Sequence, residues 1–347
     1  MNLSLCLANV NGIVGCEARA NGRPFLLADH RENMVHSGAP PASRPVGNGN
    51  SDITQQPHVE WVRGRGIRNT MDNERIAHYR TWFIRFVQEH ATKNELDQRN
   101  ILLKEEHTAG VCGNALRIAV GLGLDADATA LAGAIALFHD VGRFPQYARY
   151  RTFEDSRSVN HAVLGAKVLL ERNVLRDLPV RERSLIVRAV ALHNVFILPA
   201  RLDDEVRLHA EIVRDADKLD IWRVFIELSD RDPATWPSAT SLGLPDTPAC
   251  SPSVLAALEQ RQMVRLTSLR TLNDFKLLQL AWIYDLNFAP SLAMVLERSV
   301  IERLTASVPR TEETARIVGN LRSYVHERIE AADGEDQHRT TEHSSPQ

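Results

Sequence analysis

Between Met71 and Ala109 the chain runs for 39 residues without a glycine or proline, and its apolar side chains fall at helical spacing. Ile76, Tyr79, Phe83, Phe86 and Val87 recur every three or four positions, the stripe of an amphipathic helix that faces a core. A second helix is predicted from near Gln98 and carries Ile101, Leu102 and His107. The next, Ala128 to Phe138, is apolar on nearly every side, which suits the middle of a bundle, and Gly142 gives its stop signal. Further helices are read at 160–172, 181–193, 205–228, 253–287, 290–306 and 311–331. Period-2 alternation is scarce and no internal repeat stands out, so the expected fold class is all-α.

The pattern lapses in three places. Residues 38–66 hold nine Gly or Pro among 29 positions, too many to build a core, and residues 1–37 show no sustained period. Residues 1–70 are therefore expected to be a disordered N-terminal extension. The stretch 230–252 is rich in Pro, Ser and Asp and reads as a long loop, and 332–347 reads as a disordered polar tail. One helical domain remains, at 71–331, with its chemistry concentrated at about 100–225. Its C-terminal helices, which include LLQLAWIYDLNF at 277–288, carry too many apolar residues to stand in water. They are expected to pack against the rest of the bundle or to form the face of a homodimer.

Composition narrows the function classes. Lys and Arg total 41 against 44 Asp and Glu, a net charge of −3, which removes nucleic-acid binding by sheer basicity. Cys6, Cys16, Cys112 and Cys250 form no CxxC pair, so neither a disulfide framework nor a zinc ribbon is indicated. A reducing, cytoplasmic compartment fits that usage. No segment reaches the roughly 18 apolar residues of a membrane span. The N-terminus, MNLSLCLANVNGIVGCEARA, faintly resembles a signal peptide, but it lacks a basic start and Asn9 and Asn11 interrupt it.

Six residues carry candidate chemistry: His107, the adjacent pair His139-Asp140, His161, His193 and Asp217. Each lies at or near the end of a separate predicted helix, and each of the four histidines has small or apolar neighbours, as in AGAIALF before His139 and IVRAVAL before His193. The other nine histidines, among them His78, His90 and His209, read as surface or satisfied core residues. A buried imidazole needs a partner, and an ionised carboxylate beside it needs one more urgently. Imidazole nitrogen with carboxylate oxygen suits Mn, Fe, Co, Ni, Zn or Mg. Six such groups suffice for two divalent metal ions bridged by one carboxylate, with positions left open for water and substrate.

The order H…HD…D, in His107, His139-Asp140 and Asp217, resembles the HD-domain superfamily of metal-dependent phosphohydrolases. FHDVGRFPQY (138–147) looks like the family's HDxG turn, and VRDADKLDIW (213–222) looks like its closing helix. His161 in NHAVLGAKVLLE and His193 in ALHNV resemble the bimetallic branch, which includes cyclic-dinucleotide phosphodiesterases and mixed-valence diiron oxygenases. The resemblance implies a helical HD bundle with additional C-terminal helices. It implies that His107, His139, Asp140 and Asp217 hold a first metal, that Asp140 bridges, and that His161 and His193 complete a second. Asp217 takes this place ahead of Asp215 and Asp220, which read as cap, surface or ion-pair residues. Arg143 stands where the family has lysine and is expected, with Lys218, to meet substrate phosphate. Asn160 and Asn194, each beside a metal histidine, either orient ligands or cap helices. The chain lacks a GYP motif after His193, and HNVF replaces the usual histidine pair, which counts against a cyclic-dinucleotide substrate.

The implied activity is hydrolysis of a phosphomonoester or phosphodiester of a small molecule, a nucleotide foremost, with Asp140, Arg143 and Lys218 in the catalytic set. The same ligands would also serve an HD-type diiron oxygenase, and a non-catalytic, ligand-binding HD regulator is the third reading. The segment 143–162 is expected to be a loop at the site, with Tyr147, Tyr150 and Phe153 either stacking a base or packing on one another, and Arg149 and Arg151 meeting phosphates.

Overall fold

A computed structural model describes residues 71–229 and 244–342. The extension expected at 1–70, most of the loop expected at 230–252 and the last five residues lie outside the described residues. Helices account for all the regular structure among them.

The first half builds a bundle from α1 (Asn73–Glu89), α2 (Glu95–Gly121), α3 (Ala126–Phe138), α4 (Arg143–Tyr150), α5 (His161–Glu171), α6 (Val180–Leu192) and α7 (Asp204–Ser229). Four of these start on the same device, a short polar side chain accepting from a backbone N–H of the first turn. Asp72 accepts from Arg75, Asn94 from Asp97, Asp125 from Ala128 and Asn160 from Val163, at 2.8–3.0 Å. Each such cap contributes about 1 kcal/mol. Asn160 is thus the cap of α5.

The apolar helix α3 is the centre. Ala134 to Phe138 are all buried, and α3 packs against α1, α2, α6 and α7. The α1 stripe meets it through Tyr79, whose ring is edge-on to Phe138 at 5.2 Å, while Phe83 and Phe86 pack on Phe144 of α4. The turn that follows α3 is therefore fixed on both sides.

The second half, α8 (Pro252–Glu259), α9 (Leu272–Ala281), α10 (Ala289–Glu297), α11 (Val300–Thr305) and α12 (Glu312–Glu342), packs onto the bundle, with α10 and α11 against α7 and α10 also against α2. Most of 277–286 is buried, including Trp282 and Ile283. Asp215 fastens this half by accepting from the backbone N–H groups of Asn287 and Phe288 at 3.0 and 3.3 Å. Arg214 and Lys218 add ion pairs to Asp285, each at 3.0 Å.

Several boundaries differ from the sequence reading. The helix expected over 253–287 is broken: Arg261, at φ 55°, ends α8, and α9 restarts on a capping box between Thr271 and Asp274. Ser299, at φ 51°, likewise divides 290–306 into α10 and α11. The last helix runs on to Glu342 rather than ending at Ala331. The expected loop at 143–162 opens as helix α4, because Pro145 falls in the first turn, where its missing N–H costs nothing. Cys112 and Cys250 are free thiols, and no helix among the described residues is long and apolar enough to cross a membrane.

Candidate metal centre

The six sequence candidates come together in the bundle. His107 projects from the middle of α2, His139 caps the end of α3 with Asp140 next in the turn, His161 opens α5, His193 caps the end of α6, and Asp217 lies on α7. Gly142 brings the turn after α3 against the start of α5. A Cβ there would fall 2.0 Å from the His161 carbonyl oxygen and 2.6 Å from the Gly165 nitrogen.

All four imidazoles are held by Nδ1. His139 and His193, at helix ends, donate to the carbonyls of Ala136 and Val190, three residues back, at 2.7 and 2.8 Å. His107 pairs with Asp220 at 2.7 Å and His161 with Asp155 at 2.9 Å. That leaves every Nε2 pointing inward at the remaining carboxylates. His161 and His193 present Nε2 atoms 3.0 Å apart. His107 Nε2 lies 3.0 Å from Asp217 Oδ1, and His139 Nε2 4.0 Å from the same oxygen.

Asp140 divides its two oxygens between the pairs. Oδ2 is 3.8 and 3.7 Å from Nε2 of His107 and His139, while Oδ1 is 3.2 and 3.8 Å from Nε2 of His161 and His193. One ligand atom from each of His107, His139 and Asp140 lies within 4.8 Å of the others, and the same holds for Asp140, His161 and His193. Asp217, its side chain 14% exposed, is the member of the set that keeps contact with solvent.

The electrostatics suit a cation. Burial acts to raise the Asp140 carboxyl, yet Lys104, His139 and Arg143 hold it well below the usual carboxylate range. Burial opposes ionisation of Asp217 too, and its bond to His107 and the nearby His139 outweigh that. Burial, reinforced by neighbouring imidazoles, pushes His193 down to about 3, and burial also lowers His139, so both are neutral donors. His107 is the exception. Burial and Lys104 act against its charge, but Asp217 and Asp220 raise it to about 10, so metal entry would displace a proton there.

The residues fit divalent metal. Buried His139 Nε2 has no hydrogen-bond partner, and His107 Nε2 and Asp217 Oδ1 have only each other, at 3.0 Å, an arrangement that is costly unless something else binds these atoms. Two nitrogens bound at right angles to one ion, at about 2.1 Å each, would lie about 3.0 Å apart, which is the His161–His193 separation.

Residues 105–222 match the family model described as HD domain. The chain carries an HD domain. No curated protein and no solved structure matches it. The HD match spans the whole ligand set from His107 to Asp217.

Two expectations for the HD domain need correction, and one alternative is decided. Arg143 is buried, with its guanidinium on Asp155, Gln146 and the Phe153 carbonyl and its Nε 3.4 Å from Asp140, so its hydrogen bonds are spent on bracing the turn. Lys218 is buried in its ion pair with Asp285 and turned toward the C-terminal half, a residue's rotation away from Asp217 on α7. Of the two readings of Tyr147 and Phe153, packing holds: both are buried, with rings 4.7 Å apart, and Tyr147 bonds Asp97.

Three residues that sequence reasoning missed matter here. Lys104 places a buried ammonium 2.9 Å from Asp140 Oδ2. Asp220, read as a cap, surface or ion-pair residue, is an ion-pair residue, held by Arg223 at 2.7 Å; what escaped is that its partner on the other side is His107 Nδ1, also at 2.7 Å. Asp155 orients His161. The first two had a signal in the sequence, since Lys104 and His107, like Asp217 and Asp220, stand three apart and share a helix face. Asp155 had none.

Proposed function

We propose that this chain is a two-metal phosphohydrolase of the bimetallic HD branch, acting on a phosphomonoester or phosphodiester of a small molecule, with nucleotides the leading class. The observation that carries the reading is the division of Asp140, one oxygen toward His107 and His139 and the other toward His161 and His193. A carboxylate disposed in this way suits a bridge between two ions. His107, His139, Asp140 and Asp217 would hold one, and Asp140, His161 and His193 the other. Divalent metal in such a pair supplies a water of lowered pKa and an electrophile for phosphoryl oxygen.

The protein groups support an anionic substrate. Two divalent ions against the carboxylates of Asp140 and Asp217 leave an excess of positive charge. Lys104 and Arg143, both against Asp140, add to it, while Asp155 and Asp220 offset them. A buried surplus of positive charge attracts phosphate and stabilises the charge that develops on it. Asp217 marks the side from which substrate and solvent enter. Lys104 and Arg143 would contribute to this charge from behind Asp140, while Lys218, paired with Asp285, would not.

The test is a panel of phosphomonoesters, phosphodiesters and nucleotides, assayed with Mn, Ni, Co or Mg and again after chelation. Metal-dependent release of phosphate or of a free hydroxyl supports the reading. Iron in both positions, with oxygen consumption and no ester cleavage, would replace it with the oxygenase.

A further inference from the structure

We propose that Asp155 is the positioning residue for the His161–His193 half of the centre, an inference that rests on the two-metal reading above. In the sequence, Asp155 is one polar residue in a stretch that looks made for substrate. In the structure its carboxylate is where three elements of the site are joined. Oδ1 accepts from Gln146 Nε2 at 2.7 Å and Arg143 Nη1 at 3.1 Å, both on α4. Oδ2 accepts from His161 Nδ1 at 2.9 Å, from the His161 backbone N–H at 3.2 Å and from Asn194 Nδ2, the residue after His193, at 3.2 Å.

The histidines differ in how much outside help they need. His139 and His193 end helices, so a carbonyl three residues back holds each ring from within its own helix. His161 begins a helix and has no preceding turn to lean on. Its Nδ1 depends on an acceptor from elsewhere in the chain, and Asp155 provides one that is charged and therefore strong. A carboxylate at Nδ1 fixes the ring so that Nε2 faces Asp140 and His193, where an ion would sit. Without Asp155 the ring can rotate and carry Nε2 away from His193 Nε2, now 3.0 Å away.

The test uses the full chain as wild type, Asp155→Ala and Asp155→Asn. Manganese titration of metal-free protein reads the affinity for each ion, and urea unfolding of the same samples reads stability. Wild type is expected to bind two ions. Asp155→Ala should lose about 10–100-fold in affinity for one ion only. Asp155→Asn keeps an acceptor oxygen, so it should bind that ion with intermediate affinity. Should Asp155→Ala fail to fold, Asp155→Asn decides, and wild-type affinity for both ions in it overturns the proposal. Both ions bound by Asp155→Ala as tightly as by wild type, or an equal loss at both, overturns it too. A wild-type chain that binds no ion defeats the two-metal reading itself, and this proposal with it.

Discussion

Gly110→Ala should impair the metal centre although the residue touches none of the six ligands. Gly110 lies one turn beyond His107 on α2, and a Cβ there would fall 1.9 Å from Asp220 Oδ1 and 2.6 Å from its Cγ. A side chain normally swings aside from such a clash, but Asp220 is pinned by His107 at 2.7 Å and by Arg223 at 2.7 Å. If it moves, His107 loses its Nδ1 partner. Losing a hydrogen bond between charged groups costs about 1.5–3 kcal/mol. Replacing glycine by alanine inside a helix returns about 0.5–1 kcal/mol, so the net loss of stability is about 0.5–2.5 kcal/mol. Loss of the group that orients a ligand also weakens metal binding by about 10–100-fold, or about 1.4–2.8 kcal/mol. The control is on the same helix. Gly113 has no atom within 4 Å of its added Cβ, so Gly113→Ala should be stabilising by about 0.5–1 kcal/mol with metal affinity unchanged. Urea unfolding of metal-free protein and manganese titration, run on both variants, read the two effects separately. Gly110→Ala that is as stable as Gly113→Ala and binds metal like wild type would refute the role given to Asp220.

His161→Ala and His193→Ala should each reduce bound metal from about two ions toward one while His107, His139 and Asp217 keep the other; elemental analysis of the two variants checks this. If they serve only as core histidines, metal content will not change and only stability will fall, by about 1–3 kcal/mol. Asp285→Ala leaves Arg214 and Lys218 buried without their shared carboxylate. Because Asp285 is 26% exposed, the expected cost is about 1–3 kcal/mol, below the ~3–5 kcal/mol of a fully buried pair, measured by urea unfolding with metal content unaffected. Gly142→Ala sets a methyl against two backbone atoms that cannot swing away, so it should cost at least about 1–3 kcal/mol and displace His161, visible as lower stability together with weaker metal binding.

The bundle was legible because its signals are local. Five apolar residues at helical spacing define α1, and an all-round apolar run defines the buried α3. That the six candidates gather in one place was legible because each lies on or beside such a helix, in an order that resembles a known family. What escaped depends on chain rotation and on tertiary approach. The side of α7 on which Lys218 falls, toward Asp285 rather than toward Asp217, is set by the packing of the C-terminal half. Arg143 looked like a phosphate ligand from its neighbours in sequence, but the turn that follows folds Asp155 back onto it. The breaks at Arg261 and Ser299 rest on left-handed backbone at residues that usually avoid it, so composition could not announce them.

In the proposed two-metal centre, Asp140 is the one buried carboxylate shared by both ions. The most direct measurement is the metal-to-protein ratio, by elemental analysis, of wild type and Asp140→Ala purified without chelator, with far-ultraviolet circular dichroism on the same samples. About two ions per wild-type chain and close to none in Asp140→Ala are expected, because Asp140 touches both histidine pairs, with helical content preserved because the core is apolar. A folded Asp140→Ala variant that keeps both ions, or a wild-type chain that takes up none, would contradict it.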